Sequence, residues 1–213
     1  FRQNFMKISY AITVKDELIE LDRLLFRLQK YKRNIDEIVV VHDGLNGSPQ
    51  IEEYLKAQTV SSSPFRWHAF EFKNNFSELK NYITKQCTGD YIFQIDADEF
   101  PNEYLVSILP TILESNPETE VYLTPRVNTV EGLTETHIKK WGWSVDEKGW
   151  VNFPDYQWRI WKNKPEIKWI NKVHERLEGF KTYVTLPPQE EFSLYHPKDI
   201  ERQEKQNKYY DEI

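Results

Sequence analysis

Up to Thr124, short apolar runs alternate with stretches in which apolar residues recur every three or four positions. The first pattern is that of strands and the second that of helices. Their alternation predicts crossover helices covering a mostly parallel sheet, a three-layer α/β/α architecture. Ile8 to Val14 is the first expected strand. Leu18, Leu21, Leu24, Leu25 and Leu28 then keep helical spacing behind an N-cap at Asp16, as far as the basic end Lys30, Lys32 and Arg33. Glu37 to Val41 reads as a strand that runs into His42-Asp43-Gly44. Gly44 to Pro49 reads as a turn, Ile51 to Ala57 as a short helix, Ser61-Ser62-Ser63-Pro64 as a loop, and Arg66 to Phe70 as a strand.

Asn75 with Glu78 three positions on has the form of a capping box, and Phe76, Leu79, Ile83 and Cys87 make one apolar stripe on the helix it opens. Cys87 is expected there as a buried helix residue, and Thr88-Gly89-Asp90 stops the helix. Tyr91 to Ile95 is apolar on both faces, as a central strand should be, and delivers Asp96-Ala97-Asp98-Glu99 at its carboxyl end. Pro101 to Leu113 reads as a helix with Pro101 near its first turn, and Glu120 to Leu123 as a strand. Beyond Thr124 the alternation becomes irregular, with strands expected near Tyr156 to Trp161 and Lys168 to His174, and a surface helix over Lys198 to Ile213. Residues 1–213 are expected to form a single domain, with 6–124 and 125–213 as its two halves.

With 28 Lys+Arg against 34 Asp+Glu the chain carries a net charge of -6, so no global positive field favours nucleic acid or an anionic membrane. Its longest apolar runs are strand-sized, well short of the roughly 20 residues that span a bilayer. The stretch before Met6, the only methionine, lacks a charged region followed by an apolar one and is left out of the element reading. The lone cysteine, Cys87, fits a reducing compartment, and a cytoplasmic location is expected.

Open α/β sheets bind ligands beyond the carboxyl ends of their strands, which is where Thr13 to Glu17, His42-Asp43-Gly44 and Asp96 to Glu99 fall. In an extended Asp-x-Asp both side chains point the same way, so Asp96 and Asp98 are expected to converge on one hard cation, Mg²⁺ or Mn²⁺. The seven glycines form neither glycine-rich phosphate cradle, so a bound diphosphate would need metal charge. The plainer reading of the acidic run is a solvated loop.

The order Ile8-Ser9-Tyr10-Ala11-Ile12-Thr13-Val14-Lys15-Asp16-Glu17, Ile38-Val39-Val40-Val41-His42-Asp43-Gly44, Phe76-Ser77-Glu78-Leu79-Lys80-Asn81 and Thr88-Gly89-Asp90-Tyr91-Ile92-Phe93-Gln94-Ile95-Asp96-Ala97-Asp98-Glu99 resembles the nucleotide-sugar half of GT-A glycosyltransferases of the family 2-like group. Gln157 to Pro165, Val173-His174-Glu175 and Leu194-Tyr195-His196 resemble the later segments of the same group. The resemblance implies a UDP-sugar donor, a glycan or glycoprotein acceptor and a divalent metal. It implies Thr13, Lys15 and Glu17 around the nucleoside and Asp43 accepting from the uracil N3–H. Lys80 and Asn81 would face the base or ribose, with Asp96 and Ala97 at the ribose and metal shell and Asp98 on the metal. His174 or His196 would complete the metal site, His174 being favoured. Glu175 would be the general base of an inverting hexosyl transfer, with Asp155 next in line. A free-standing domain of this size also resembles glycosyltransferases of large DNA viruses that decorate a capsid glycoprotein.

Simpler roles stand beside these. Glu175 could pair with Arg176 or Lys172, Asp43 could serve the turn alone, and His68 and His137 carry no motif. Six of the seven tryptophans lie between Trp141 and Trp169. Most are expected in the core, and one or two could line an acceptor groove. His42, Lys80 and the lack of a glycine-flanked acidic pair depart from the family pattern. The competing functions are a sugar nucleotidyltransferase, a metal-dependent phosphohydrolase and a carbohydrate-binding module.

Overall fold

The computed structural model describes residues 5–59 and 63–212, so Ser61, Ser62 and Ile213 of the expected elements lie outside the described residues. Three βα steps and a fourth strand build the first part of the chain. Strands β1 (Ile8–Val14), β2 (Glu37–Asp43), β3 (Arg66–Phe70) and β4 (Tyr91–Asp96) are separated by helices α1 (Leu18–Tyr31), α2 (Pro49–Gln58) and α3 (Phe76–Gln86). A short strand β5 (Phe100–Pro101), helix α4 (Glu103–Ser115), strands β6 (Val121–Thr124) and β7 (Arg126–Glu131) and helix α5 (Glu135–Trp141) follow. The chain closes with β8 (Gln157–Lys162), β9 (Lys168–Ile170), β10 (Arg176–Glu178), β11 (Tyr183–Thr185), β12 (Leu194–Asp199) and α6 (Ile200–Glu212).

The main sheet has seven strands in the order β11-β6-β8-β4-β1-β2-β3, and all its pairings are parallel except those of β8 with β4 and β6. Its strands come from both halves of the chain. Alternate residues serve opposite faces, as a period of two requires. Ile8, Tyr10 and Ile12 of β1 and Phe93 and Ile95 of β4 pack with the leucines of α1 and with Leu105 and Leu109 of α4. Ala11, Val39, Val41 and Ile92 pack on the other face with Ile83, Trp161, Trp169 and Leu177. Two small sheets, β10-β9 and β5-β12-β7, complete the molecule. No described helix is long and apolar enough to cross a membrane.

Several boundaries differ from the sequence reading. The N-cap of α1 is Glu17 rather than Asp16, and its carboxylate accepts from the backbone N–H of Lys15 at 2.9 Å and of Asp16 at 3.0 Å, holding the β1–α1 turn. Helix α2 starts two residues earlier than expected, because Ser48 caps it and Pro49 supplies a preset φ at its first position. Pro101 is not in the first turn of α4. It lies in β5, paired with Leu194, and Asn102 caps the helix instead, its side chain accepting from Tyr104 N–H at 2.9 Å. Cys87 is the C-cap of α3 rather than a residue within it, though buried as expected. The strand expected up to His174 ends at Ile170, where Asn171 turns left-handed at φ 71°.

Strand order reverses at β1, with β2 and β3 to one side and β4 to the other. In an open α/β sheet that reversal parts the connecting loops and leaves a crevice at the carboxyl ends of the two strands. Those ends are paired in register, Thr13 opposite Asp96.

Candidate active site

At that reversal lies a cleft of about 690 Å³, the size of a small-molecule site. Thr13, Lys15, Glu17, Asp43, Lys80, Asp96, Ala97, Asp98, Asp155, His174, Glu175 and His196 all line it. Asn81 does not. Its side chain clips α3 to β9, donating to the Trp169 carbonyl at 2.8 Å and accepting from the Trp169 N–H at 2.9 Å, so a role at the base or ribose is replaced by a structural one.

The β1–α1 loop is fixed from beside it. The Ser48 N–H donates to the Lys15 carbonyl at 3.1 Å, and a Cβ at Gly47 would fall 2.4 Å from the Asp43 carbonyl oxygen and 2.9 Å from that of Lys15, a fit only glycine allows. Asp43 is buried and accepts from the N–H groups of Leu45 and Asn46, each at 3.0 Å, and from Asn46 Nδ2 at 3.2 Å. It therefore builds its turn as well as lining the cleft.

Asp96 and Asp98 do not form the extended pair expected of them. Strand β4 ends at Asp96 and the chain turns at Ala97 and Asp98, so the two carboxylates have different partners. Asp96 Oδ1 accepts from Thr13 Oγ1 and Gln94 Nε2, both at 2.8 Å, and Oδ2 from Arg159 Nη2 at 2.8 Å. Burial works to raise its pKa, but Arg159 and Lys80 hold it far below the usual carboxylate range. Arg159 also donates to buried Glu99 at 2.6 Å, Glu99 accepts from Arg126 at 3.0 Å, and Arg126 reaches Asp155 at 2.8 Å. An alternating chain of five charges thus runs along the cleft wall from Asp96 to Asp155.

Asp98 instead faces His196, with Oδ2 and Nε2 3.3 Å apart, and Arg202 Nη2 lies 3.2 Å from the same oxygen. Burial opposes ionisation of Asp98, while the hydrogen bond and charge of His196 favour it and lower its pKa. His196, not the favoured His174, is the imidazole at Asp98. His174 lines the same cleft in a left-handed conformation, φ 52°.

The donor set at Asp98 fits a divalent ion. It offers one carboxylate and one imidazole, and His196 Nδ1 meets Asn128 Oδ1 at 2.8 Å, which fixes the ring with Nε2 toward Asp98 as a second-shell partner does for a metal-bound histidine. No group of three or more His, Cys, Asp or Glu residues gathers as a metal cage among the described residues. Such a pair is the arrangement in which substrate phosphates and water complete the shell. Asp96, with both oxygens engaged, is better placed to orient than to ligate.

Glu175 pairs with neither Arg176 nor Lys172. Its Oε1 accepts from Lys80 Nζ at 2.5 Å, and that ammonium also lies 4.2 Å from the centre of the Trp169 ring. Asp155 is more heavily engaged, accepting from Arg126 Nε at 2.9 Å, Asn128 Nδ2 at 2.6 Å and Gln157 Nε2 at 3.1 Å. His137 closes the capping box of α5 and contacts Glu204 at 3.3 Å, away from the cleft chemistry. Of the clustered tryptophans, Trp161 and Trp169 are core residues, and Trp143, Trp158 and one edge of buried Trp169 line the cleft.

Sequence reasoning passes over Arg126, Arg159, Lys198 and Arg202. Arg159 carries a usable signal, since it is an arginine inside an otherwise apolar strand segment, Arg159-Ile160-Trp161, and is 4% exposed. Lys198 lies in the cleft wall, donates to Gln206 Oε1 and has its pKa pushed down to about 8, chiefly by burial, with Asp98 opposing the shift. The other two have no local pattern to mark them.

An α/β sheet with a polar cleft at its reversal point, lined by an Asp/His pair and a lysine-held glutamate, has the form of a ligand-binding site of an open α/β protein. The match to the Glycosyl transferase family 2 model covers residues 9–183, and the chain belongs to that family. It is 24% identical over 173 residues to a TPR repeat-containing protein of Synechococcus elongatus, covering 81% of this chain and 36% of that protein. The crystal structure of S. aureus TarS residues 1–349 shares the fold, with a TM-score of 0.61 at 14% identity over 90% of this chain and 60% of that one. The chain thus spans about a third of the curated relative and three fifths of the TarS structure.

Proposed function

We propose that the protein transfers a hexosyl group from a UDP-sugar to a hydroxyl of a glycan or glycoprotein acceptor, with inversion and with a divalent ion, Mn²⁺ or Mg²⁺, at Asp98 and His196. The observation that carries this is the Asp98–His196 pair, set at the mouth of the strand-reversal crevice with its imidazole already oriented by Asn128. When bound there, the ion supplies positive charge that offsets the diphosphate. Thr13, Lys15, Glu17 and Asp43 line the part of the cleft formed by the ends of β1 and β2, where a nucleoside fits the fold's usual mode. Asp96, held by Thr13, Gln94 and Arg159, presents a fixed carboxylate edge to a ribose hydroxyl.

For the transfer itself, Glu175 is the base. Lys80 holds its carboxylate in place, and Asp155 is committed to Arg126, Asn128 and Gln157, which suits it to positioning. Glu175 takes the proton of the acceptor hydroxyl as that oxygen bonds to the anomeric carbon. The bond to the phosphate oxygen breaks, and its electron pair leaves with the diphosphate. The buried Cys87 thiol, pushed up to about 12 by burial, is inert at neutral pH and fits a cytoplasmic setting.

Glu175→Gln is expected to leave donor affinity within about twofold while turnover falls by roughly 10²–10⁴, the range for loss of a general base. Calorimetry and single-turnover transfer separate the two quantities. Unaffected turnover in Glu175→Gln, together with loss in Asp155→Asn, moves the base to Asp155. The carbohydrate-binding alternative predicts glycan binding that ignores both chelator and nucleotide.

A further inference from the structure

Most of the buried or half-buried cations of the cleft are neutralised within the chain: Arg159 by Asp96 and Glu99, Arg126 by Glu99 and Asp155, and Lys80 by Glu175. Lys198 differs. It is half-buried in the cleft wall, its Nζ donates to the neutral amide of Gln206, and among the described residues it has no carboxylate within ion-pair distance. A charge removed from water without a counter-ion is costly, and folds keep one where an anion is to be received.

Its placement says which anion. Lys198 follows His196 by two positions on β12, so both side chains project from the same face of that strand, toward the Asp98 corner. One turn into α6, Arg202 adds a guanidinium at 3.2 Å from Asp98. Arg202 is shared with Glu17 at 3.2 Å and Glu20 at 3.4 Å as well, so Lys198 is the cation beside the Asp98–His196 pair that no carboxylate pairs among the described residues.

We propose that Lys198 is a diphosphate-binding residue, which takes a phosphate oxygen of the bound nucleotide directly, with Gln206 of α6 holding its ammonium in the cleft wall. The strand and helix that follow the family-matched segment, residues 194–212, then form part of the donor site. This rests on the nucleotide-sugar reading of the cleft.

The test is calorimetric. Of UDP, GDP and CDP, the one that binds wild-type protein most tightly in Mn²⁺ is compared with its own monophosphate and nucleoside, on wild type, Lys198→Met and Lys198→Arg. The expected result for Lys198→Met is at least about a tenfold loss for the diphosphate, on the scale of a charge-assisted hydrogen bond, with nucleoside and monophosphate affinities held within twofold. Lys198→Arg should keep most of the diphosphate affinity. A Lys198→Met protein that binds the diphosphate like wild type overturns the proposal and leaves the cleft reading standing. Equal losses for nucleoside and diphosphate overturn it too, since they mark a structural role. Wild-type protein that binds none of the three diphosphates overturns the reading of the cleft itself.

Discussion

Asp98→Ala is expected to lower the affinity for nucleoside diphosphate in Mn²⁺ on the order of 100-fold, to the level that wild-type protein shows in a chelator. The reasoning is local. Asp98 is the carboxylate that faces a ring nitrogen across 3.3 Å, and the ring is pinned from behind by Asn128. Removing the carboxylate leaves the imidazole in place but halves the protein's contribution to the ion. Nucleoside affinity should not change, because the proposed donor mode rests the base and ribose on β1, β2 and Asp96. Isothermal titration of UDP and uridine, with Mn²⁺ and with chelator, reads both. If Asp98→Ala keeps its metal-dependent increment, the ion is held elsewhere, and Asp96 would be the residue to examine.

The second large effect belongs to Arg159, which lines the cleft and holds Asp96. Its guanidinium, 4% exposed, is shared by Asp96 and Glu99, and Glu99 is 1% exposed. Arg159→Met keeps much of the volume and removes the charge, so two acids are left with Lys80 and Arg126 as their remaining cations. Breaking one side of such a network costs about 3–5 kcal/mol. That is a large share of the roughly 5–15 kcal/mol that holds a domain together, and in a chain of this size it lowers Tm by about 10 °C or more. The pH dependence gives a second reading. In wild type, Asp96 has a depressed pKa, so its contribution is present at neutral pH and is lost only as acid protonates it. In Arg159→Met the chief downward pull on Asp96 is gone, so the deficit should be greatest at neutral pH and shrink toward pH ~5, where Asp96 can take up a proton. Thermal melts across pH 5–8 check this. A deficit that is constant with pH would make Arg159 a packing residue only.

Much of the framework is legible from the chain alone, for a definite reason. A strand buried on both faces, such as Tyr91–Asp96, has to be apolar throughout, so an abrupt run of acids marks its exposed carboxyl end. In a parallel sheet that end is where ligands bind. The leucine spacing of α1 and the Asn75 cap of α3 are equally local signals, and both elements form where the residues predict. The small sheets are harder to read. Pro101, Leu194 and Arg126 lie far apart in sequence, and only the assembled fold shows that β5, β12 and β7 are neighbours.

The site divides in the same way. Which residues reach the cleft follows from strand ends and motif order, and Asn81 alone of the expected set is drawn elsewhere, by the backbone of β9. Which acid meets which cation is not written locally. Asp96 and Arg159 are 63 positions apart, and Asp98 and His196 are 98 apart. The expectation of a convergent Asp-x-Asp fails on one local detail, since it assumes an extended chain where Ala97 and Asp98 turn. His196 rather than the favoured His174 lies beside Asp98, because β12 pairs with β7 and brings His196 next to Asn128.

The proposed donor site centres on the corner where Asp98 meets His196. Crystals grown with UDP and Mn²⁺, measured at a wavelength where manganese scatters anomalously, test it most directly. The predicted result is one anomalous peak shared by the Asp98 carboxylate, His196 Nε2 and the diphosphate, with Arg202 drawn off Asp98. A nucleotide seated in the cleft with no anomalous peak at Asp98, or a peak bound by other residues, would contradict it.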